Sequence, residues 1–132
     1  MSVEINLSGK TALITGATRG IGRAISNIFS EAGADVILTG TKSGEIEQLN
    51  IEEKDSNVKW VHADFSSLDG IDYFLEKLKS MDAIDICVNN AGINIIKPYE
   101  DYSREEYQRL ININLTAPFS LVQKLIPGMK KR

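Results

Sequence analysis

The sequence predicts an α/β fold in which helices cover a parallel β-sheet on both faces. Short apolar runs alternate with segments of helical periodicity, which is the pattern of parallel strands joined by right-handed crossovers. The first two runs do not alternate polar with apolar residues, as expected of strands that are buried on both faces. The length of 132 residues suits one domain, and we expect residues 1–132 to form a single one.

The apolar runs and the helical segments place each element along the chain. The predicted strands are residues 11–15, 36–39, 58–61 and 84–88. The predicted helices are the segment after residue 20, residues 43–54, residues 66–81 and the segment from Ser103 to residue 126. Gly33 follows the first helix and is of a residue type that often stops one. The chain therefore reads β-α-β-α-β-α-β-α.

Local patterns predict where these helices begin and which side faces inward. Ser66 with Asp69, and Ser103 with Glu106, have the spacing of a capping box. The predicted inward residues of the first two helices are Ile21, Ala24, Ile25, Ile28, Phe29, Ala32, Ile46, Leu49 and Ile51.

Composition and charge exclude several classes of function. Apolar residues make up 42% of the chain, charged residues 25%, and the net charge is −3, so disorder is not expected. The absence of a long basic run argues against a nucleic-acid partner. With no signal peptide and no apolar stretch of about 18 residues, we expect a cytoplasmic protein without a membrane partner. Cys87 and His62 are the single cysteine and histidine, which argues against a disulfide or a metal site.

A glycine-rich segment lies between the first predicted strand and the first predicted helix, the context of a phosphate-binding loop. It reads Thr15-Gly16-Ala17-Thr18-Arg19-Gly20-Ile21-Gly22. We expect Gly16 to form the tight turn, Gly20 to let the backbone approach a pyrophosphate, and Gly22 to let the helix pack closely. The helix N-terminus supplies free N–H groups and partial positive charge to the anion.

Three further motifs follow in order along the chain. Asp64-Phe65 comes just after the third strand, Asn89-Asn90-Ala91-Gly92 ends the fourth, and Ile113-Asn114-Leu115 lies in the last helix. Together with the Gly-x-x-x-Gly-x-Gly spacing, they resemble the motifs of the short-chain dehydrogenase/reductase family over essentially the whole chain. The resemblance implies an oxidoreductase with a Rossmann-type three-layer αβα fold and the strand order 3-2-1-4.

The resemblance also implies roles for individual residues. Asp64 would accept a hydrogen bond from the adenine amino group, and Phe65 would offer its backbone. Three residues would line the adenosine ribose and stabilise the central strand: Asn90, Ala91 and Gly92. The loop residues that would bind the cofactor are Gly16, Thr18, Arg19, Gly20, Ile21 and Gly22.

Asn114 is the one expected catalytic residue. Pro118 lies four residues further along the helix and has no N–H, so the carbonyl of Asn114 loses its helical donor. A freed carbonyl kinks the helix and can hold a water. In the family, the main chain at this Asn holds a water in the proton relay to the active-site Lys.

The end of the second strand predicts which cofactor binds. An NAD-binding domain of this type places an acid there for the ribose 2′-hydroxyl, but this strand continues into Gly40-Thr41-Lys42. Arg19 and Lys42 could reach a 2′-phosphate, and Thr41 adds a hydroxyl. We therefore expect NADP(H) rather than NAD(H). In relatives resembling the 3-oxoacyl-acyl-carrier-protein reductases, an Arg and a Thr at these positions do this.

The resemblance implies an NADP(H)-dependent ketoreductase, with a 3-oxoacyl thioester as the leading carbonyl substrate. The family's Ser and its Tyr-x-x-x-Lys come after the helix of Asn114, so we expect residues 1–132 to be the cofactor-binding half, truncated after that helix and inactive alone. Two alternatives remain open. One is an NAD-dependent alcohol or sugar dehydrogenase of the same family, and the other is a dinucleotide-binding module without catalysis.

The last helix also predicts an assembly. Its apolar face would be partly bare in a monomer, and large exposed apolar patches drive association. We therefore expect a homo-oligomer, or a C-terminal portion held noncovalently. The residues of this face are Leu110, Leu115, Val122 and Ile126.

Overall fold

The structure, a computed structural model, describes residues 2–132. Its strands are β1 (Thr11–Ile14), β2 (Asp35–Gly40), β3 (Val58–His62) and β4 (Ile86–Val88). Its helices are α1 (Gly20–Glu31), α2 (Ser43–Glu52), α3 (Leu68–Leu78), α4 (Arg104–Ile111) and α5 (Ala117–Lys131). A 3₁₀ turn covers Tyr99–Asp101, and a π turn, Asn112–Thr116, lies between α4 and α5.

Contacts along the chain group these elements into two compact units. Unit 1 comprises residues 2–62 and 82–90, with the whole sheet, α1 and α2. Unit 2 comprises residues 63–81 and 91–132, with α3, α4, the π turn and α5.

The sheet of unit 1 is parallel and has the strand order β3-β2-β1-β4, so the prediction is confirmed. Leu13 of β1 pairs with Ile37 of β2 on one side and with Cys87 of β4 on the other. Parallel strands end at the same edge of a sheet, so the residues that follow β1, β2 and β4 are brought together.

The core of unit 1 lies between the sheet and its two helices. Ala12, Leu13 and Ile14 of β1 are fully buried, as the apolar run predicted, and Ala12 and Ile14 belong to this core. Ile25 and Phe29 of α1 pack against this core. The remaining buried residues of this cluster are Ala17, Ala34, Val36, Leu38, Ile46 and Trp60.

The predicted inward face of the first two helices was wrong at four positions. The exposed residues are Ile21, Ala24, Ile28 and Ile51. The buried residues of α1 are instead Gly22 and Ser26, one turn apart. The close packing at Gly22 sets the rotation of α1 about its axis, which turns Ile21 and Ile28 toward solvent.

Unit 2 is built around α3 and α5, which pack on each other. Ile71, Phe74 and Leu78 of α3 are buried, and the Phe74 ring meets the Phe65 ring edge-on, with centroids 5.4 Å apart. The predicted capping box at Ser66 and Asp69 was wrong. Ser67 caps α3 by accepting from the Gly70 N–H, because the Ser66 hydroxyl donates to Asp64 instead.

The predicted capping box of the last helix is confirmed. The Ser103 side chain accepts from the Glu106 N–H, and the Glu106 carboxylate accepts from the Ser103 N–H. The helix that follows is interrupted by the π turn, where the Ala117 N–H donates to the Asn112 carbonyl five residues back. The irregularity expected near Asn114 therefore takes the form of a helical turn with one extra residue. It lies where Pro118, which has no N–H, cannot donate to the Asn114 carbonyl.

Two properties of the whole described chain bear on its chemistry. Among the helices of residues 2–132, none is long and apolar enough to cross a bilayer. Cys87 is half-buried on β4, and burial raises the pKa of its thiol to about 11. A thiol with so high a pKa carries little thiolate at neutral pH and is a poor nucleophile.

Candidate cofactor site

The glycine loop of unit 1 joins β1 to α1 with the geometry of a phosphate-binding loop. Gly16 has φ +64° and Gly20 has φ +60°, values that side chains disfavour, so both positions require glycine. A Cβ on Gly22 would lie 2.3 Å from the Gly16 carbonyl oxygen and 2.5 Å from Asn90 Nδ2. Close approach therefore explains Gly22, although its neighbours are the loop backbone and Asn90 rather than the strand.

The start of α1 leaves backbone donors for a ligand. Arg19 is the N-cap residue, and its side chain makes no capping hydrogen bond. The N–H groups of the first helical turn have no partner within a helix by geometry, and they carry the positive end of the helix dipole. The loop can therefore bind an anion with backbone groups alone.

Asn90 fixes the other side of the loop. Its backbone N–H donates to Thr15 Oγ1 at 3.1 Å, and its Nδ2 donates to the carbonyl oxygens of Thr15 and Gly16 at 3.1 and 2.9 Å. The end of β4 is thereby tied to the end of β1. These bonds explain how Asn90 stabilises the central strand.

The end of β2 lies directly beside the glycine loop. A Cβ on Gly40 would come within 2.6 Å of Thr18 Cγ2, so only glycine allows this approach. The carbonyl of Thr41, the next residue, hydrogen bonds His62 Nε2 at 3.1 Å. Thr18 and Thr41 therefore belong to one region of unit 1.

Two cations of this region are not used by the protein. Within residues 2–132, neither Arg19 nor Lys42 takes part in an ion pair, whereas Arg23 lies over the Trp60 ring and pairs with Glu53. No acidic residue lies between positions 39 and 44. The positive charge at the end of β2 therefore suits a phosphate group better than the two hydroxyls of an unmodified ribose.

The Asp64 segment opens unit 2. Asp64 Oδ1 accepts from the backbone N–H and the hydroxyl of Ser66, at 2.9 and 2.6 Å, which folds the segment into a turn. The Ser66 carbonyl accepts from Asn112 Nδ2 at 2.9 Å. The Phe65 ring is buried, so its side chain is not available to a ligand.

Asn114 acts in unit 2 through its side chain. Its Nδ2 donates to the Ile93 carbonyl at 2.8 Å, and its Oδ1 accepts from the Ile93 N–H at 2.9 Å. The paired bonds hold the segment that continues from Ala91 and Gly92. The sequence argument concerned the main chain of Asn114 alone and missed this clamp.

The loop after residue 93 has its own support. Tyr102 donates its hydroxyl to the Ile95 carbonyl, and Lys97 Nζ lies 2.7 Å from the Glu106 carboxylate. The hydrogen bond from Lys97 holds the pKa of Glu106 below its usual value, and the Ser103 N–H adds to this effect. Glu106, the capping-box partner of Ser103, therefore also anchors the loop before α4.

The predicted site residues are divided between the two units. In unit 1 the group is Gly16, Thr18, Arg19, Gly20, Ile21, Gly22, Thr41, Lys42 and Asn90. In unit 2 it is Asp64, Phe65, Ala91, Gly92 and Asn114. Sequence reasoning missed Thr39 and Asn112, buried polar residues whose side chains bond the loops of these groups.

A parallel sheet in the order 3-2-1-4, with a glycine loop leading from its first strand into a helix, defines the Rossmann-type class of dinucleotide-binding folds. Residues 10–132 match the short chain dehydrogenase family, and the chain belongs to that family.

Two curated relatives of this chain are named as a reductase and a dehydrogenase. The chain is 39% identical to a 3-oxoacyl-acyl-carrier-protein reductase of Aquifex aeolicus, over 98% of this chain and 54% of the relative. It is 34% identical to a D-beta-hydroxybutyrate dehydrogenase of Cupriavidus necator, over 96% of this chain and 50% of the relative. The chain thus spans about half the length of the curated relatives it matches.

Solved structures show the same relationship. L-sorbose reductase from Gluconobacter frateurii, in complex with NADPH and L-sorbose, superposes with a TM-score of 0.84 at 30% identity, over 98% of this chain and 51% of that one. A 3-oxoacyl-acyl-carrier-protein reductase from Agrobacterium tumefaciens with NADP bound superposes with a TM-score of 0.83 at 30% identity, over 96% and 50%. The family is one of oxidoreductases.

Proposed function

We propose that residues 1–132 are the cofactor-binding half of an NADP(H)-dependent carbonyl reductase. The observation that carries the proposal is the end of β2, where Arg19 and Lys42 stay outside the ion pairs of residues 2–132 and no carboxylate follows the strand. Relatives with NADPH or NADP bound support the same cofactor.

The residues of unit 1 fit the phosphates of this cofactor. The first-turn N–H groups of α1, reached through Gly20, would bind the pyrophosphate, with Thr18 and Ile21 beside them. Arg19, Thr41 and Lys42 would bind the 2′-phosphate by charge-assisted hydrogen bonds. A side chain at Gly22 would push against the Gly16 carbonyl and Asn90 and so disturb the loop, which agrees with the need for glycine there.

The residues of unit 2 fit the rest of the cofactor. Asp64 would accept from the adenine amino group, with Phe65 offering its backbone. Ala91 and Gly92 would line the adenosine ribose, a role also proposed for Asn90, the residue before them in the chain. When bound, the nicotinamide supplies the hydride for the carbonyl carbon.

Asn114 is the catalytic residue that we assign to this chain. Its side chain fixes Ile93, and its carbonyl precedes Pro118 in the interrupted helix, so we propose that this carbonyl holds a relay water. The Ser, Tyr and Lys that orient and protonate the carbonyl would belong to the other half of the whole protein. The isolated 132-residue chain is then expected to bind cofactor without turning over substrate.

A 3-oxoacyl thioester is the proposed substrate class of the whole protein. The relative at 39% identity acts on such a thioester by its name. We further propose a homo-oligomer, because the π turn exposes Leu115 and α5 exposes Phe119, Val122 and Ile126.

Titration calorimetry on the 132-residue chain tests the cofactor. NADPH should bind more tightly than NADH, and Arg19→Ala should narrow that gap about tenfold, the effect of one charge-assisted hydrogen bond. Lys54→Ala removes the same charge from an exposed position of unit 1 and should leave the gap unchanged. Equal affinity of the wild-type chain for NADPH and NADH would contradict the 2′-phosphate assignment.

A further inference from the structure

Thr39 carries a buried hydroxyl group and follows three buried apolar residues of β2. It follows Val36, Ile37 and Leu38 in β2, and only 2% of its surface is exposed. Valine has nearly the same shape and the same preference for strands, so packing alone does not require threonine. A buried hydroxyl is kept where it forms a hydrogen bond.

The hydroxyl of Thr39 accepts from the glycine loop. The Gly16 N–H donates to Thr39 Oγ1 at 3.1 Å, and the Ala17 N–H donates to the Thr39 carbonyl at 3.0 Å. Two successive N–H groups of the loop thus end on one residue of β2. They point toward the strand and are occupied, so an anion must use N–H groups further along, at the start of α1.

This arrangement determines which way the loop faces. Gly16 has φ +64°, a conformation that glycine samples but does not hold by itself. The bonds to Thr39 hold it from the β2 side, and those from Asn90 hold its carbonyl from the β4 side. Removing one side frees the turn that aims the start of α1.

We propose that Thr39 is a positioning residue for the pyrophosphate-binding loop, acting through the hydrogen bond from Gly16 to its hydroxyl. The inference rests on the proposed function, because it concerns the same cofactor site. It assigns to Thr39 a part in binding the pyrophosphate and none in binding the adenosine 2′-phosphate.

Two ligands separate these parts of the site. NADPH contains the pyrophosphate, whereas 2′-AMP contains the adenosine and the 2′-phosphate alone. Thr39→Val replaces the hydroxyl by a methyl group. It should lower the affinity for NADPH about tenfold, the scale of one lost hydrogen bond, and change the affinity for 2′-AMP by less than about twofold. Calorimetry or ligand-observed NMR on the 132-residue chain measures both affinities.

Two controls accompany this variant. Thr39→Ser and Thr39→Ala differ from each other by the hydroxyl alone, so Ser should keep the ratio of the two affinities and Ala should lower it. This pair decides the question if Thr39→Val does not fold. Thr11→Val makes the same substitution at the first residue of β1 and should change neither affinity.

The outcomes separate the inference from the proposed function. An unchanged NADPH to 2′-AMP ratio in the variants that lack the hydroxyl overturns the role of Thr39 and leaves the proposed function standing. Equal weakening of both ligands shows a merely structural role and overturns it as well. A folded wild-type chain that binds neither ligand contradicts the proposed function, and the inference falls with it.

Discussion

In both units a side-chain amide holds a backbone segment: Asn90 holds the glycine loop of unit 1, and the amides of the π turn hold two loops of unit 2. The two regions differ in how far the sequence predicts these contacts. Asn90 bonds Thr15 and Gly16, and each of these residues follows a strand that the apolar pattern predicts. Asn112 and Asn114 bond Ser66 and Ile93, which no local pattern connects with a helix. Residues at the ends of parallel strands can therefore be predicted from the sequence to lie together, whereas the partners of a helix that bonds distant loops cannot.

The two regions also differ in what surrounds them. β1, which leads into the glycine loop, is fully buried at Ala12–Ile14. The π turn leads into α5, where Leu121 is 1% exposed and Phe119 is 64% exposed. Unit 1 therefore has a closed core, while unit 2 has a helix with a buried side and an exposed apolar side.

Replacing one side chain on each side of α5 by alanine should give the largest difference in stability. Leu121→Ala should lower the free energy of unfolding by about 3 kcal/mol, because it leaves a cavity at a buried position. Phe119→Ala should change it by less than about 0.5 kcal/mol in a monomer, because that ring is exposed. Denaturant unfolding followed by circular dichroism measures both. A large loss at Phe119 that depends on protein concentration would instead show that a second copy covers this side.

Two glycines of unit 1 make a second pair. Gly22→Ala should destabilise the chain by about 2 kcal/mol, because the new Cβ meets the Gly16 carbonyl and Asn90. Gly44→Ala meets nothing within 4 Å in the first turn of α2 and should stabilise by about 0.5 kcal/mol. Denaturant unfolding of both variants measures these opposite changes in the free energy of unfolding. A neutral Gly22→Ala would mean that the loop has room to move.

Removing the amides of the π turn tests whether it holds two loops separately. Asn114→Ala should raise hydrogen exchange at the Ile93 N–H about tenfold, the effect of about 1.4 kcal/mol of lost protection. Asn112→Ala should leave Ile93 unchanged and shift the amide resonances of Ser66 and Ser67 instead. The same response in both variants would show that the π turn holds the two loops as one piece.

The helix caps of unit 2 should give the smallest effect. Ser103→Ala should cost about 1 kcal/mol, and Ser67→Ala less, because only Ser103 has a reciprocal bond from its Glu106 partner. The folded pKa of Glu106 is lowered, so its stabilising contribution is present above pH 4.5 and is lost as pH falls through the lower folded value. The bond that Ser103→Ala removes goes to the Glu106 backbone N–H, which does not titrate, whereas the carboxylate keeps its bonds from Lys97 and the Ser103 backbone N–H. The difference in melting temperature between wild type and Ser103→Ala should therefore persist at acid pH, where both proteins lose the contribution of Glu106. Convergence of the two melting temperatures at acid pH would contradict this assignment.

Sequence reasoning succeeded where the structure depends on local patterns. The strands and their parallel pairing followed from apolar runs, and the tight turn at Gly16 from the loop spacing, because these patterns are local; the strand order came from the resemblance to the family. Thr39 escaped notice because a β-branched residue in a strand needs no explanation until its partner, Gly16, is seen. Its one sequence signal is a hydroxyl that follows three apolar residues.

The errors have equally physical causes. Periodicity describes a stripe on a helix but not its rotation, and close packing at Gly22 turned Ile21 outward. Ser66 and Ser67 are equally good capping residues by type, and the bonds of Ser66 with Asp64 left the cap to Ser67. In each case a contact beyond the local pattern decided between alternatives that the pattern allows.

The distance along the chain between paired strands indicates the order in which this protein folds. Ala12 pairs with Val36 of β2 and with Ile86 of β4, so the second pairing closes a much longer loop. The additional loss of chain entropy is about 1 kcal/mol, because this entropy grows with the logarithm of loop length. We expect β4 to dock after β1 and β2 have paired, and Asn90 arrives with β4. The glycine loop is then expected to become rigid late in folding, and the proposed dinucleotide site to form only after residue 90 has been made.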